Sequence, residues 1–191
     1  MAHVKRRSAT LGATLLLAAL AAGSAHAQQQ RANHGRLFPP EDLGILEGPD
    51  RDAWQKPEQI MDALGIADGA AVADIGAGGG WFTIRLARRV GPQGRVYAED
   101  IQPAMIESIQ RRVDREGLKN VTLVHGTATD PRLPAGVLDA VLIVETFSEM
   151  EDPVTLLKNV AKSLRPRGRI GIIEFKKDGL GPGPAPEERR E

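Results

Sequence analysis

The fold is decided by the stretch Asp74-Ile75-Gly76-Ala77-Gly78-Gly79-Gly80, which joins an apolar run beginning at Val72 to a helical pattern beginning at Trp81. Glycine allows positive φ angles and lets the backbone approach a ligand without obstruction by a Cβ atom. The first N–H groups of the helix behind the glycines have no partner inside that helix, so they can bind an anion. The stretch therefore predicts a ligand-binding loop between a strand and a helix.

Short apolar runs and helical patterns alternate on both sides of this loop. The run from Val141 to Val144 is apolar at every position, as expected for a strand that is covered on both faces. This alternation predicts a doubly wound, mainly parallel α/β sheet, in which ligands bind at the carboxyl ends of the strands. The predicted strands are 72–75, 95–100, 121–125, 138–144 and 169–175, and the predicted helices begin at Pro57, Trp81, Pro103 and Pro153.

The first 27 residues differ from the rest of the chain. They contain the basic run Lys5-Arg6-Arg7 and no acidic residue, then a largely apolar stretch over 9–22 and the small-residue pattern Ala25-His26-Ala27. This order predicts a secretory signal peptide over 1–27, cleaved near Ala27, and a periplasmic or secreted protein. An uncleaved anchor or a buried helix is the alternative. Because the stretch is shorter than the roughly 20 residues of a membrane span, we expect no stable span after cleavage.

Composition limits the partners of the protein. The chain has 191 residues, with 25 basic residues, 25 acidic residues and no cysteine. Without the three basic residues of the leader, 22 basic residues stand against 25 acidic ones, and this balance argues against binding to nucleic acid. The absence of cysteine excludes disulfides and zinc–thiolate sites. Only His34 and His125 follow the leader as histidines, and Phe175 and Lys176 follow Glu174 where an oxygen-ligand site would need a further acid or amide, so no metal site is predicted.

Three further segments follow the predicted leader. Residues 28–56 contain several prolines and glycines with little periodicity, which predicts an irregular N-terminal arm with at most one short helical turn. Residues 57–177 form the predicted ligand-binding domain. Residues 178–191 are rich in glycine, proline and charge, so they predict a disordered tail.

The spacing acid-x-Gly-x-Gly-x-Gly in the glycine stretch resembles motif I of the class I S-adenosylmethionine-dependent methyltransferases. A dinucleotide-binding loop would need glycine where Trp81 stands, so a nicotinamide oxidoreductase is the weaker alternative. The resemblance extends from about Trp54 to Lys177. It implies a Rossmann-like fold, S-adenosyl-L-methionine as cofactor and an enzyme that transfers a methyl group. It also implies cofactor contacts from the loop residues Asp74, Gly76, Gly78 and Gly80.

The same resemblance assigns roles to residues after the second and third strands. Asp100 is implied to bind the ribose hydroxyls, since one carboxylate can accept two neighbouring O–H donors, and Ile101 to contact the adenine. Glu99 stands where the family has an apolar residue, so an exchange of roles between the two acids is an alternative. Thr127 replaces the usual adenine-binding acid, which implies a weaker neutral hydrogen bond. Ala128 completes the implied adenine site.

The segment after the fourth strand faces the transferred methyl group in related enzymes. Glu145 and Glu149 are the candidate catalytic bases, required when the acceptor must lose a proton. Glu151 and Asp152 are explained equally well as acids at a helix start. In one branch of the family the segment around Trp54 folds over the cofactor as a lid, and packing of this tryptophan on the sheet is the alternative. We expect a small-molecule acceptor.

The last expectation concerns the C-terminal region. Family members normally continue with an antiparallel hairpin after the fifth strand, whereas residues 176–191 show no strand pattern. A strand at a sheet edge can pair with another chain, which predicts a homo-oligomer formed through the edge of the fifth strand. The missing hairpin also raises the alternative of a non-catalytic S-adenosylmethionine-binding or scaffold protein that has kept the fold.

Overall fold

The computed structural model describes residues 37–176. The predicted signal peptide, residues 28–36 of the arm and the predicted tail over 178–191 lie outside the described residues. The expectations for these segments therefore stay predictions.

The described chain begins with two short helical segments and then alternates strands with helices. A 3₁₀ helix over Pro40–Glu47 and helix α1 over Arg51–Gln55 belong to the arm. The other helices are α2 (Pro57–Ala63), α3 (Trp81–Val90), α4 (Pro103–Arg115) and α5 (Pro153–Ser163), and a 3₁₀ turn covers Phe147–Glu149. The strands are β1 (Ala71–Ile75), β2 (Arg95–Asp100), β3 (Val121–His125), β4 (Leu138–Val144) and β5 (Leu164–Ile173).

The strands form one parallel sheet in the order β3-β2-β1-β4-β5. Ile75 at the end of β1 is in register with Glu99 of β2 on one side and with Ile143 of β4 on the other. The strand order reverses at β1, because β2 and β3 lie on one side of β1 and β4 and β5 lie on the other. Such a reversal opens a crevice at the carboxyl ends of the central strands. The predicted fold class is confirmed.

Helices cover both faces of this sheet. On one face Met61 of α2 and Leu86 of α3 pack with Val72, and all three side chains are fully buried. On the other face Val160 of α5 packs with Ile143. Burial of apolar side chains of this size stabilises a protein by roughly 1.5–3 kcal/mol each. The two packed layers hold the strand ends in place, and the site is built on those ends.

The predicted start of β5 was wrong. The sequence predicted a strand over 169–175, whereas β5 spans Leu164–Ile173. Leu164 pairs with Leu138, and a register shift follows before the pairing of Ala140 with Arg169. Proline and glycine suit an irregular edge strand as well as a turn, so the local signal does not separate the two. The side chain of Asp139 supports this region by accepting a hydrogen bond from the Ala71 N–H and by pairing with Arg165.

The arm is more regular than predicted, since it forms a 3₁₀ helix of 8 residues and the short helix α1. These segments contact the glycine loop and α4. Leu43 lies against Gly79, and Glu47 forms an ion pair with Arg112 of α4. The contacts are made by residues distant in sequence, which is why local periodicity did not reveal the order of the arm.

Strand β5 lies at the edge of the sheet, and Ile172 on this strand is 43% exposed. Within residues 37–176 no strand pairs with its outer side. Association of two chains through this edge stays a prediction. None of the helices in the same range is long and apolar enough to cross a bilayer.

Candidate functional site

A cavity of about 1120 Å³ lies at the carboxyl ends of β1, β2 and β4. Pockets that bind drug-sized molecules measure roughly 300–1,000 Å³, so this cavity is large enough for a ligand of that size. Nine of the ten predicted site residues line it: Asp74, Gly76, Gly78, Asp100, Ile101, Thr127, Ala128, Glu145 and Glu149. The tenth, Gly80, precedes α3 at a φ of 80° and contributes to the start of that helix.

The glycine loop needs glycine at its first position for two reasons. Gly76 has a φ of 65°, in the left-handed region that L side chains rarely adopt. A Cβ atom at this position would also lie 2.2 Å from Cγ2 of Thr146, which follows β4. The loop from β1 and the segment after β4 are therefore in direct backbone-to-side-chain contact, and a substitution at Gly76 would force them apart.

Asp74 is buried at the end of β1 and faces the cavity. Its Oδ2 atom accepts a 2.6 Å hydrogen bond from the Thr83 hydroxyl of α3. Burial raises the pKa of Asp74 to about 6, although the hydrogen bond from Thr83 and the charge of Arg51 oppose this rise. The side chain is therefore largely ionised at neutral pH and gives the loop a negative charge.

Asp100 connects the end of β2 to the glycine loop. Its Oδ2 atom accepts a 2.9 Å hydrogen bond from the Gly78 N–H, and its Oδ1 atom accepts one of 2.9 Å from the Gln102 N–H. Burial raises the pKa of Asp100, and the backbone hydrogen bonds oppose the rise. Each carboxylate oxygen has a second lone pair, so the group can still accept two O–H donors from a ligand in the cavity.

Glu99 occupies a different position from Asp100, although both line the cavity. Its side chain extends from β2 to Gly126 after β3, and it is only 2% exposed. The Oε2 atom accepts a long 3.4 Å hydrogen bond from the Gly76 N–H, and Oε1 has no hydrogen-bond partner within the described residues. Burial, and then the negative charge of Asp100, raise the pKa of Glu99 to about 8. This carboxyl group is therefore mainly protonated at neutral pH.

The predicted adenine side of the cavity is formed by Ile101, Thr127 and Ala128. The Thr127 hydroxyl oxygen accepts a 2.9 Å hydrogen bond from the Asp130 N–H and donates to the Asp130 carbonyl at 3.3 Å. The hydroxyl therefore stabilises its own turn and has one lone pair left for a ligand. The adenine contact of Thr127 stays a prediction.

Glu145 follows β4 in a strained backbone conformation, with a φ of 55°. Its Oε2 atom lies 3.6 Å from Nη2 of Arg51, and the Glu145 side chain is 12% exposed. Burial raises the pKa of Glu145, and the charge of Arg51 opposes this rise. Glu149, the other predicted base, instead accepts a 3.1 Å hydrogen bond from the Phe38 N–H of the arm. Of the two acids, Glu145 is the better placed for proton transfer.

Trp54 lies in the cavity wall. Its ring centroid is 6.1 Å from that of Phe175, which follows β5. Phe147 and Met150 add further apolar surface on the same side. Of the two interpretations of Trp54, a role in covering the site agrees with this position, and the cavity gains an aromatic wall beside Glu145.

The arm is attached to the site at both ends of its 3₁₀ helix. The Phe38 carbonyl accepts a 3.0 Å hydrogen bond from the Gln102 side chain, next to Asp100, and Glu47 pairs with Arg112. Sequence reasoning did not identify these contacts, nor the cavity position of Arg51. Nothing in the sequence near Arg51 indicates that its side chain lies in the cavity or that the arm contacts α4.

Two comparisons with known proteins identify the family. Residues 72–168, a little over half of the chain, match the family described as a methyltransferase domain. The structure resembles that of an S-adenosylmethionine-dependent methyltransferase from Aquifex aeolicus with a TM-score of 0.75 and 32% identity, over 80% of this chain and 81% of that chain. The chain belongs to the S-adenosylmethionine-dependent methyltransferases. The predicted family and its cofactor, S-adenosylmethionine, are confirmed.

Relatives within this methyltransferase family act on different acceptors. A demethylmenaquinone methyltransferase from Anoxybacillus flavithermus is 32% identical over 122 residues, which is 64% of this chain and 51% of that protein. A nocamycin O-methyltransferase from Saccharothrix syringae is 31% identical over 131 residues, 69% of this chain and 44% of that protein. The chain thus spans about half the length of these relatives.

The residues of this methyltransferase fit the cofactor. S-adenosylmethionine combines adenine, a ribose diol and an α-amino acid attached to a sulfonium. Asp100 offers carboxylate lone pairs to a diol, and the loop at Gly76 and Gly78 presents backbone rather than side chains to the cavity. Among residues 37–176 no cluster of three or more His, Asp or Glu side chains is arranged to hold a metal ion. The expectation of a metal-free site stays a prediction.

Glu99 generates a prediction for the pH dependence of stability. Its pKa is 4.5 as an ordinary glutamate and about 8 when folded, so between these values the folded chain holds a proton that the unfolded chain has released. The free energy of unfolding therefore falls as the pH rises, by up to about 1.4 kcal/mol per pH unit. Glu99→Gln removes this loss. We expect equal stability of variant and wild type near pH 5 and an advantage of about 3–5 kcal/mol for the variant at pH 8.5.

Urea unfolding of the ligand-free protein from pH 5 to 9 measures this difference. Asp74, with a pKa of about 6, makes the free energy of unfolding fall with rising pH below pH 6, and it does so equally in both proteins. Glu107→Gln, on the exposed side of α4, is the matched control and should leave the profile unchanged within about 0.5 kcal/mol. Parallel profiles for wild type and Glu99→Gln would contradict the prediction.

Proposed function

We propose that this protein transfers a methyl group from S-adenosylmethionine to a small, largely apolar acceptor that loses a proton in the reaction. The observation that carries the proposal is the two-sided cavity. One side holds the glycine loop and Asp100, and the other holds Glu145 next to Trp54 and Phe175. The volume of about 1120 Å³ accommodates cofactor and acceptor together.

The cofactor side positions one reactant. When bound, S-adenosylmethionine supplies a methyl group activated by its attachment to a positively charged sulfur. Asp100 would hold the diol of the nucleoside, and the backbone of the loop at Gly76 and Gly78 would contact the rest of the molecule. The protein therefore contributes mainly by orienting the reactants and excluding water. The contacts of the arm with Gln102 and Arg112 keep the arm over the cavity and so support the exclusion of water.

The acceptor side supplies a base in an apolar surrounding. Glu145 would accept the proton that the acceptor loses when the methyl group passes from the sulfonium sulfur to an acceptor oxygen or carbon, with S-adenosylhomocysteine as the leaving group. Burial raises the pKa of this base above that of an ordinary glutamate. Trp54, Phe147 and Phe175 favour a planar acceptor. We therefore propose a phenol-like or hydroquinone-like molecule. The names of the two relatives, which specify a demethylmenaquinone and an O-methylated product, support this class.

Cofactor binding tests the first half of the proposal. Asp100→Asn removes the negative charge that accepts two ribose hydroxyls, and we expect about 10–100-fold weaker binding of S-adenosylhomocysteine. Isothermal titration calorimetry measures the affinity. Asp114→Asn, an exposed acid near the end of α4, should bind like wild type. Failure of the wild-type protein to bind S-adenosylmethionine or S-adenosylhomocysteine would refute the proposed function.

The pH dependence of the rate tests the second half. With radiolabelled cofactor and a panel of phenols and hydroquinones, the wild-type rate should rise with pH as Glu145 ionises and then level off. Glu145→Gln should lower kcat by about 10²–10⁴-fold and abolish this rise, with little change in cofactor affinity. Glu107→Gln, on the exposed side of α4 and outside the cavity wall, is the control. Cofactor binding without transfer to any acceptor would instead favour the non-catalytic alternative.

The leader suggests that the protein acts outside the cytosol, and we propose periplasmic or secreted location. Expression of the full chain in a Gram-negative bacterium should yield a periplasmic protein that begins at Gln28. Ala27→Lys should block cleavage, because the peptidase requires a small residue at that position. Recovery of uncleaved wild-type chain from the cytosolic fraction would contradict this location.

A further inference from the structure

Arg51 is a buried cation in the wall of the cavity. Helix α1 places its guanidinium in the interior, and the residue is 7% exposed. A buried charge is costly unless neighbouring groups compensate it, so a buried arginine needs partners. Burial lowers the pKa of Arg51, while the charges of Glu145 and Asp74 oppose this effect. Arginine nevertheless stays protonated under all ordinary conditions.

The hydrogen bonds of Arg51 use only part of its donor capacity. A guanidinium has five N–H donors. The Nε atom donates to the Gln55 side chain at 3.3 Å, and Nη1 donates to the Leu46 carbonyl at 2.6 Å. The Nη2 atom is 3.6 Å from the Glu145 carboxylate, which is an ion pair beyond hydrogen-bond distance. Within residues 37–176, most of its N–H donors are therefore available to a ligand in the cavity.

The sheet places Arg51 and Asp100 on different sides of the glycine loop. Asp100 is the last residue of β2, whereas the partner of Arg51, Glu145, follows β4, and β1 lies between these two strands. The guanidinium carbon is also 4.4 Å from the ring centroid of Trp81, the first residue after the loop. A cofactor whose ribose is held by Asp100 and which follows the loop would bring its other end toward Arg51 and Asp74.

We propose that Arg51 binds the α-carboxylate of the amino-acid portion of the cofactor. This inference rests on the proposed function. Arginine suits the task, since its planar donors match the two oxygens of a carboxylate, and charge-assisted hydrogen bonds of this kind are strong. Binding would thereby also fix α1, so the arm and the cofactor would stabilise each other.

Arg85 offers a matched control for a purely structural role. Its guanidinium carbon lies 3.4 Å from the centroid of the Trp81 ring, so both arginines stack on the same side chain. Arg85, however, forms hydrogen bonds of 2.7 and 2.8 Å with the two carboxylate oxygens of Asp52 and does not line the cavity. Loss of Arg85 removes a stacked cation without removing a ligand contact.

Calorimetry with two ligands tests the proposal. S-adenosylmethionine and decarboxylated S-adenosylmethionine differ only in the carboxylate. Wild type and Arg85→Gln should prefer the carboxylated ligand by at least about tenfold. Arg51→Gln should lose about 10–100-fold affinity for the carboxylated ligand and keep its affinity for the decarboxylated one within about threefold. Arg51→Lys should restore part of the preference, because it restores the charge.

The outcomes separate this inference from the proposed function. An equal loss of affinity for both ligands in Arg51→Gln would indicate a structural role and overturn the inference. Unchanged affinity for both ligands would overturn it as well. If Arg51→Gln does not fold, the ratio of the wild-type affinities for the carboxylated and the decarboxylated ligand decides. A ratio near one overturns the inference. In each of these cases the proposed function stands, provided that the wild type binds S-adenosylmethionine. Only the absence of wild-type binding refutes the proposed function itself.

Discussion

The structure depends on the contact between the glycine loop and the segment after β4. At Gly76 the backbone is left-handed, and the space that a side chain would need is occupied by Thr146. This contact joins the two halves of the sheet where the strand order reverses. Any residue other than glycine would strain the loop and push β1 and β4 apart at their carboxyl ends.

Charge is distributed around this loop in a way that suits a zwitterionic cofactor. Asp74 and Asp100 carry negative charge on β1 and β2, while Arg51 brings a buried positive charge from the arm. Glu99, next to Asp100, is kept mainly neutral by burial, and the negative charge of Asp100 adds to this effect. Folding of this region thus depends on pH more strongly than the net charge of the chain suggests, since buried acids and not surface ones determine the slope.

The arm contacts both sides of the cavity. It reaches Gln102, after β2, and Glu149, after β4, and Trp54 contributes to the aromatic wall. Loops and termini that cover a site in this way exclude water and complete the catalytic arrangement. In this protein the same short segment supplies Arg51, so the part that covers the site also carries a charged group into it.

The sequence by itself determined the strand–helix order, the position of the binding loop and the acids at the ends of β1, β2 and β4. These features are local, because hydrophobic periodicity and the conformational needs of glycine are readable within a few residues. Tertiary structure alone decided which loop N–H group each of Glu99 and Asp100 contacts, how Arg51 and Trp54 enter the cavity, and where β5 begins. Each of these depends on contacts between residues far apart in the chain, where burial and pairing outweigh local preference.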